Sequence, residues 1–199
     1  MYSWQLPDWP RFRWDESRLL QPLSAARLEQ GRLLGGMARL GFDLKLEAQL
    51  DALTEEAVKS SEIEGEVFPR ASVRSSLAQR LGLADAAAAP ADRRAEGVVE
   101  MLLDATQNYR DPLTPERLFA WQAALFPTGY SGLHRVKAGA WRDDAGGPMQ
   151  VVSGPVGRQR VHYEAPPAER VTEEMHRFLD WLNGDARTEG LLRAGLAQF

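Results

Sequence analysis

The strongest constraint on the fold is an apolar stripe between residues 43 and 64. Its members recur three or four residues apart: Leu46, Leu50, Leu53 and Ala57. That spacing places them on one face of an α-helix, while the charged residues of the same stretch fall on other faces, where water can solvate them. The pattern therefore predicts an amphipathic helix packed against other elements. Continuing the same count, the next two positions on the packed face are Ser60 and Glu64.

Glu64 is the residue of this helix that most needs an explanation. An ionised carboxylate on the packed face requires a cation or several hydrogen-bond donors. In one interpretation Glu64 lies in a frayed last turn and is met by water or a local arginine, which is what helical geometry alone favours. In the other, Glu64 reaches into a site and occupies a cation that a ligand would otherwise use.

The rest of the chain predicts a mainly α-helical bundle with one β-hairpin. A helix from Asp15 to about Leu40 contains three glycines, Gly31, Gly35 and Gly36, which we expect to mark the close approach of a neighbouring helix. A short helix follows Pro69, with Val73, Leu77 and Leu81 on one face. We interpret it as a packing helix rather than a DNA-recognition helix, although it carries Arg74 and Arg80.

The domain organisation follows from one low-complexity run. Residues 84–92 are rich in alanine and are the expected linker. They separate an N-terminal helical domain, residues 1–83, from a second region, residues 93–199. The second region begins with two predicted helices, and Thr114-Pro115-Glu116 has the order of a helix start.

The predicted hairpin lies within residues 139–165. Two β-like runs, residues 149–153 and 159–163, are joined by Gly154-Pro155-Val156-Gly157. The first run contains Val151, Val152 and Ser153. Two further amphipathic helices are predicted after Pro167, the last one ending on Phe199.

Composition excludes several classes of protein. The net charge of the 199 residues is −4, so no basic excess indicates nucleic acid or an anionic membrane as the main partner. There is no cysteine, hence no disulfide or thiolate metal ligand. The N-terminus lacks the pattern of a signal peptide, and no apolar run approaches the ~20 residues that span a bilayer. We expect a cytoplasmic protein without membrane contact.

The residues around Glu64 also carry a resemblance to a known family. Ser60-x-x-x-Glu64-Gly65 resembles the inhibitory-helix motif of the Fic family, whose members mostly transfer AMP from ATP to protein hydroxyls. Over roughly the first eighty residues the chain is similar to the segment that precedes many bacterial Fic domains. The similar stretches are Trp9-Pro10-Arg11-Phe12-Arg13-Trp14-Asp15, Gly31-Arg32-Leu33-Leu34-Gly35 and Val73-Arg74-Ser75-Ser76-Leu77-Ala78-Gln79-Arg80-Leu81-Gly82.

The resemblance implies an autoinhibited protein adenylyltransferase that uses ATP and Mg²⁺ and modifies a Ser, Thr or Tyr hydroxyl of a target protein. Glu64 would pair with an arginine that binds the ATP γ-phosphate, and Ser60 would help to hold the inhibitory helix. Val151, Val152 and Ser153 would lie in the flap hairpin that docks the target, and a homo-oligomer is compatible with the resemblance.

The family's catalytic loop, His-Pro-Phe-x-x-Gly-Asn-Gly-Arg, does not occur in these 199 residues. No catalytic residue and no metal ligand is therefore predicted in the chain, and most of the ATP and Mg²⁺ ligands would lie outside it. We expect a chain truncated before that loop and inactive alone. Two alternatives remain: a helical regulatory or DNA-associated module, and a non-catalytic inhibitory interaction domain, such as a toxin-neutralising partner.

Overall fold

The computed structural model describes residues 1–83, 92–131, 134–155, 157–184 and 187–198. The helices are α1 (Glu16–Ala38), α2 (Phe42–Ile63), α3 (Arg70–Arg80), α4 (Arg93–Gln107), α5 (Pro115–Leu125), α6 (Ala168–Gly184) and α7 (Gly190–Leu196). The strands are β1 (Tyr130–Ser131), β2 (His134–Arg135), β3 (Gln150–Ser153) and β4 (Arg160–Glu164). Strand β1 pairs with β2 and β3 with β4, both antiparallel. The predicted mainly helical architecture with a β-hairpin is confirmed.

Contacts divide the chain into two units. Residues 26–139 form one, here called the continuous unit, and residues 1–25 with 140–199 form the other, here called the split unit. Most of the predicted linker, residues 84–91, lies outside the described residues, so a domain boundary there stays a prediction. Helix α3, which precedes the predicted linker, and helix α4, which follows it, pack together in the core of the continuous unit.

The core of the continuous unit is built by α2, α3 and α4. Its buried apolar residues are Leu50, Leu53, Ala57, Val58, Phe68, Val73, Leu77, Ala78, Ala95, Val98, Val99 and Leu103. Val73 and Leu77 are both 0% exposed, which confirms α3 as a packing helix. Helix α5 lies so close to α4 that a Cβ on Gly97 would be 2.0 Å from the Ala124 carbonyl oxygen. Thr114 caps α5 by accepting a hydrogen bond from the Arg117 N–H, at 3.2 Å.

Helix α1 corrects one expectation. A Cβ added to Gly31, Gly35 or Gly36 would meet nothing within 4 Å, so the predicted close approach of a neighbouring helix is wrong among the described residues. The helix contains no buried residue. It starts as predicted, because the Asp15 carboxylate accepts the N–H groups of Ser17 and Arg18.

In the split unit the N-terminal arm packs on the β3–β4 hairpin and on α6. The Trp4 indole N–H donates to the Glu164 carbonyl oxygen at 2.7 Å. The rings of Tyr2 and Tyr163 meet edge to face at 5.4 Å, and the Arg170 guanidinium lies 5.3 Å from the centre of the Trp4 ring. Across the described parts of both units, no helix has the length and apolarity needed to span a membrane.

Candidate functional site at the end of helix α2

A glycine turn ends helix α2 and fixes the backbone of the Ser60–Gly65 motif. Gly65 has φ +83, a left-handed conformation that glycine adopts without steric cost. Its N–H donates to the Glu62 carbonyl oxygen at 3.1 Å, and the Glu66 N–H donates to that of Ser61 at 2.9 Å. These two hydrogen bonds form a Schellman motif, which satisfies carbonyl groups that a helix end leaves free. The prediction that Gly65 ends the helix is confirmed.

Glu64 is the last residue before this turn, and its side chain is exposed. The expectation that Glu64 projects from the buried side is therefore wrong in this chain. The buried face of α2 runs through Leu50 and Ala57 to Ser61, which is 8% exposed. The helix ends at Ile63, and Glu64 follows it as the exposed C-terminal cap.

Among the described residues, the Glu64 carboxylate differs from the neighbouring carboxylates in having no side-chain partner. Four acidic side chains around it form a hydrogen bond or ion pair within the unit: Glu55 with Arg70 at 2.7 Å, Glu56 with Ser60 at 2.8 Å, Glu62 with Lys59 at 2.8 Å and Glu66 with Arg94 at 3.1 Å. The hydrogen bond from Lys59 to Glu62 raises the pKa of that ammonium group. Among the residues that the structure describes, no side chain donates to Glu64. It is an exposed carboxylate that remains available to a cation from elsewhere.

Ser60 lies one turn before Glu64 and is also exposed. Its hydroxyl donates to the Glu56 carboxylate of the same helix at 2.8 Å. This hydrogen bond stays within α2. Among the described residues, the Ser60 side chain does not join α2 to another element.

The second predicted site, Val151, Val152 and Ser153, lies on β3 as expected. Val151 is 58% and Val152 40% exposed. Within the part of the chain that is described, β3 and β4 form a sheet of two strands, so the outer edge of β3 is open. Such an edge presents unpaired N–H and C=O groups to which an extended peptide can add.

The structure adds one contact that sequence reasoning missed on this hairpin. The Ser153 hydroxyl and the His162 Nε2 atom are 2.6 Å apart across the two strands. A register shift between Val151 and Val152 leaves His162 without an opposite residue on β3. The sequence contains no sign of such a bulge, because simple alternation would pair these strands in uninterrupted register.

The arginines of α3 are engaged by acidic side chains of the same unit. Arg74 forms ion pairs with Glu47 and Asp51 of α2, and Arg80 lies 3.7 Å from Glu100 of α4. A helix that reads DNA needs its cations free for phosphates and base edges. Both arginines are thus paired within the folded unit, and the DNA-associated alternative stays a prediction.

The described residues do not form the ATP and Mg²⁺ site that the family resemblance implies. None of their His, Asp and Glu side chains form a group of three that could hold a metal ion. The sequence also lacks the Gly-Asn-Gly-Arg segment that would bind phosphates. Ser60, Glu64 and Gly65 therefore do not build such a site among the described residues.

Comparison with known proteins gives one family match. Residues 2–83 match a domain of unknown function, DUF4172. The matched range covers α1, α2 and α3 and includes Ser60, Glu64 and Gly65. No curated protein matches the chain.

Proposed function

We propose that this chain is the regulatory and target-docking part of an autoinhibited Fic-type protein adenylyltransferase. The enzyme would transfer AMP from ATP to a Ser, Thr or Tyr hydroxyl of a target protein. The observation that carries the proposal is the Glu64 carboxylate, which has no partner among the described residues, in a motif that resembles the family's inhibitory helix. Glu64 would bind the arginine that otherwise holds the ATP γ-phosphate.

Local electrostatics supports a cationic partner for Glu64. A carboxylate at a helix C-terminus faces the negative end of the helix dipole, which disfavours it by about 0.3–1 kcal/mol. The flanking carboxylates of Glu62 and Glu66 are already paired with Lys59 and Arg94, so the negative charge left at the helix end is that of Glu64 itself. An arginine that approaches this end relieves the unfavourable interaction with the helix dipole, and Glu64 can accept its N–H groups without breaking an existing pair.

The exposure of Glu64 sets a condition on the proposal. An exposed ion pair contributes only about 0–1 kcal/mol, whereas removing one partner of a buried pair costs about 3–5 kcal/mol. Only the buried case could hold an enzyme off by orders of magnitude. In the proposal, the end of α2 therefore docks against the nucleotide site and becomes buried there.

The hairpin supplies the second part of the proposed function. The open edge of β3 would hold a segment of the target protein by backbone hydrogen bonds, with Val151 and Val152 contacting its side chains. Target residues held in this way would be extended. The proposal leaves catalysis, and the binding of ATP and Mg²⁺, to residues outside this chain.

The test compares Glu64→Gln with wild type in a protein that includes the catalytic loop. Incorporation of AMP from α-labelled ATP should rise by about two orders of magnitude, because the substitution removes a buried charge pair. Glu62→Gln is the matched control, since Glu62 lies on the same helix end but pairs with Lys59. Equal incorporation by wild type and Glu64→Gln would refute the role of Glu64.

A second arm uses residues 1–199 alone and tests whether catalysis lies outside this chain. The chain should transfer no AMP, and robust turnover would contradict the proposal.

A further inference from the structure

The split unit contains a cavity whose walls are mainly apolar. It has a volume of about 770 Å³ and lies between the N-terminal arm, α6 and α7. This volume falls within the roughly 300–1,000 Å³ of small-molecule sites. Five aromatic side chains line it: Trp9, Phe12, Trp14, Phe178 and Trp181.

The aromatic side chains form a ring pair on each of two walls. On the arm, the Trp9 and Phe12 rings meet edge to face with centres 5.5 Å apart. On α6, the Phe178 and Trp181 rings are tilted with centres 6.1 Å apart. A planar ring that enters the cavity therefore finds aromatic faces and edges on two of its walls, and contact with them adds to the gain from apolar burial.

The charged residues of the lining leave one positive charge uncompensated. Glu174 forms an ion pair with Arg170 and lies 3.8 Å from Arg177. Arg177 also pairs with Glu173. Arg11, by contrast, forms no side-chain hydrogen bond or ion pair with any residue in the described ranges. Among the described residues that line the cavity, the Arg11 guanidinium is therefore the one cation without a partner, and the rest of the lining is mainly apolar.

The unit that contains this cavity has little core of its own. Leu179, 5% exposed, is the only buried side chain among its described residues. Filling the cavity would remove the exposed aromatic surface from water, which favours binding and stabilises the folded state that binds.

We propose that this cavity binds a small planar aromatic monocarboxylate, with the ring between the arm and α6 and the carboxylate on Arg11. A guanidinium and a carboxylate match in charge and geometry. A nucleotide does not fit this chemistry, because its several phosphate charges would face one free cation. The site is independent of Glu64 and of the proposed AMP transfer.

The test is calorimetric titration of the 199-residue chain with 2-naphthoate. Uncharged 2-naphthamide, aliphatic octanoate and ATP serve as comparison ligands. We expect saturable binding of 2-naphthoate, about five-fold or more tighter than that of the amide or octanoate, and no competition by ATP. Arg11→Gln should reduce 2-naphthoate binding to the level of the amide. Arg13→Gln is the matched control, since Arg13 lies on the same arm but pairs with Asp8.

NMR of the indole N–H groups locates the site and checks the fold of each variant. The signals of Trp9 and Trp181 should move with 2-naphthoate, whereas that of Trp121, in the continuous unit, should not. Any of three results would overturn the proposal: no binding up to about 5 mM, equal binding by wild type and Arg11→Gln, or tighter binding of octanoate than of 2-naphthoate.

Discussion

Gly97 provides the sharpest test of how α4 and α5 pack. A Cβ at this position would lie 2.0 Å from the Ala124 carbonyl oxygen and 2.6 Å from its carbonyl carbon. Both atoms are backbone, so no side chain can rotate away. Gly97→Ala therefore requires the two helices to separate by about 1 Å, and a gap of this size already removes a quarter to a half of the attraction between facing atoms.

The expected change in the free energy of unfolding of Gly97→Ala is the balance of two opposing effects. Overpacking of a tight contact costs about 1–3 kcal/mol, and a clash between two backbones belongs at the upper end. Replacing glycine by alanine within a helix stabilises the helix by about 1 kcal/mol. The expected net loss is about 2 kcal/mol, which would lower the urea midpoint of the continuous unit by about 1 M.

Hydrogen exchange measures this loss in the helices concerned. The backbone amides of α4 and α5 should exchange faster in Gly97→Ala than in wild type across a urea series. Gly31→Ala is the control, because a Cβ there meets nothing within 4 Å, and it should stabilise α1 by up to about 1 kcal/mol. Unchanged or slower exchange of α4 in Gly97→Ala would refute the packing argument.

Two further predictions concern hydrogen bonds. Arg117 and then Asn108 donate to the Asp104 carboxylate and hold its pKa below the ordinary value of 3.8. The stability that Asp104 contributes is therefore present above that value and lost as the pH falls through the lower folded pKa. Asp104→Asn should make stability less dependent on pH in the acid range, and it should lower the free energy of unfolding at neutral pH by about 1–3 kcal/mol. Urea unfolding at several pH values measures both effects. Trp4→Phe removes the 2.7 Å hydrogen bond to the Glu164 carbonyl oxygen. The amides of β4 should then exchange faster, by the amount that a loss of about 1 kcal/mol in local stability produces. Unchanged exchange would contradict that contact.

Local patterns predicted most helices and the β3–β4 hairpin. The apolar stripe of α2 is buried at Leu50, Leu53 and Ala57, because periodicity records which face meets a core. Gly65 ends α2 and Thr114 begins α5, as predicted. Both residues act on the backbone within one turn of their own position, Gly65 by its left-handed conformation and Thr114 by its side-chain hydrogen bond. These signals require no knowledge of the partner elements.

The errors arise where a prediction depended on a distant neighbour. The glycines of α1 suggested a close helix, but glycine permits an approach without supplying the second helix. Periodicity placed Glu64 on the packed side, but it could not show that the packed face of α2 ends at Ser61. The Ser153–His162 contact depends on a bulge, and β-strand alternation gives no sign of one.

The exposure of Glu64 also determines how the proposed inhibition should respond to salt. In the proposed mechanism, the Glu64 end of α2 would attract an arginine through water before docking, and this attraction would fall with a screening length of about 8 Å at physiological ionic strength. After docking, the proposed pair would be shielded from solvent, and salt would act on it only weakly. Added salt should therefore slow the return to the inhibited state more than it weakens that state. For Glu64→Gln, which carries no charge at this position, the rate of that return should depend less on salt.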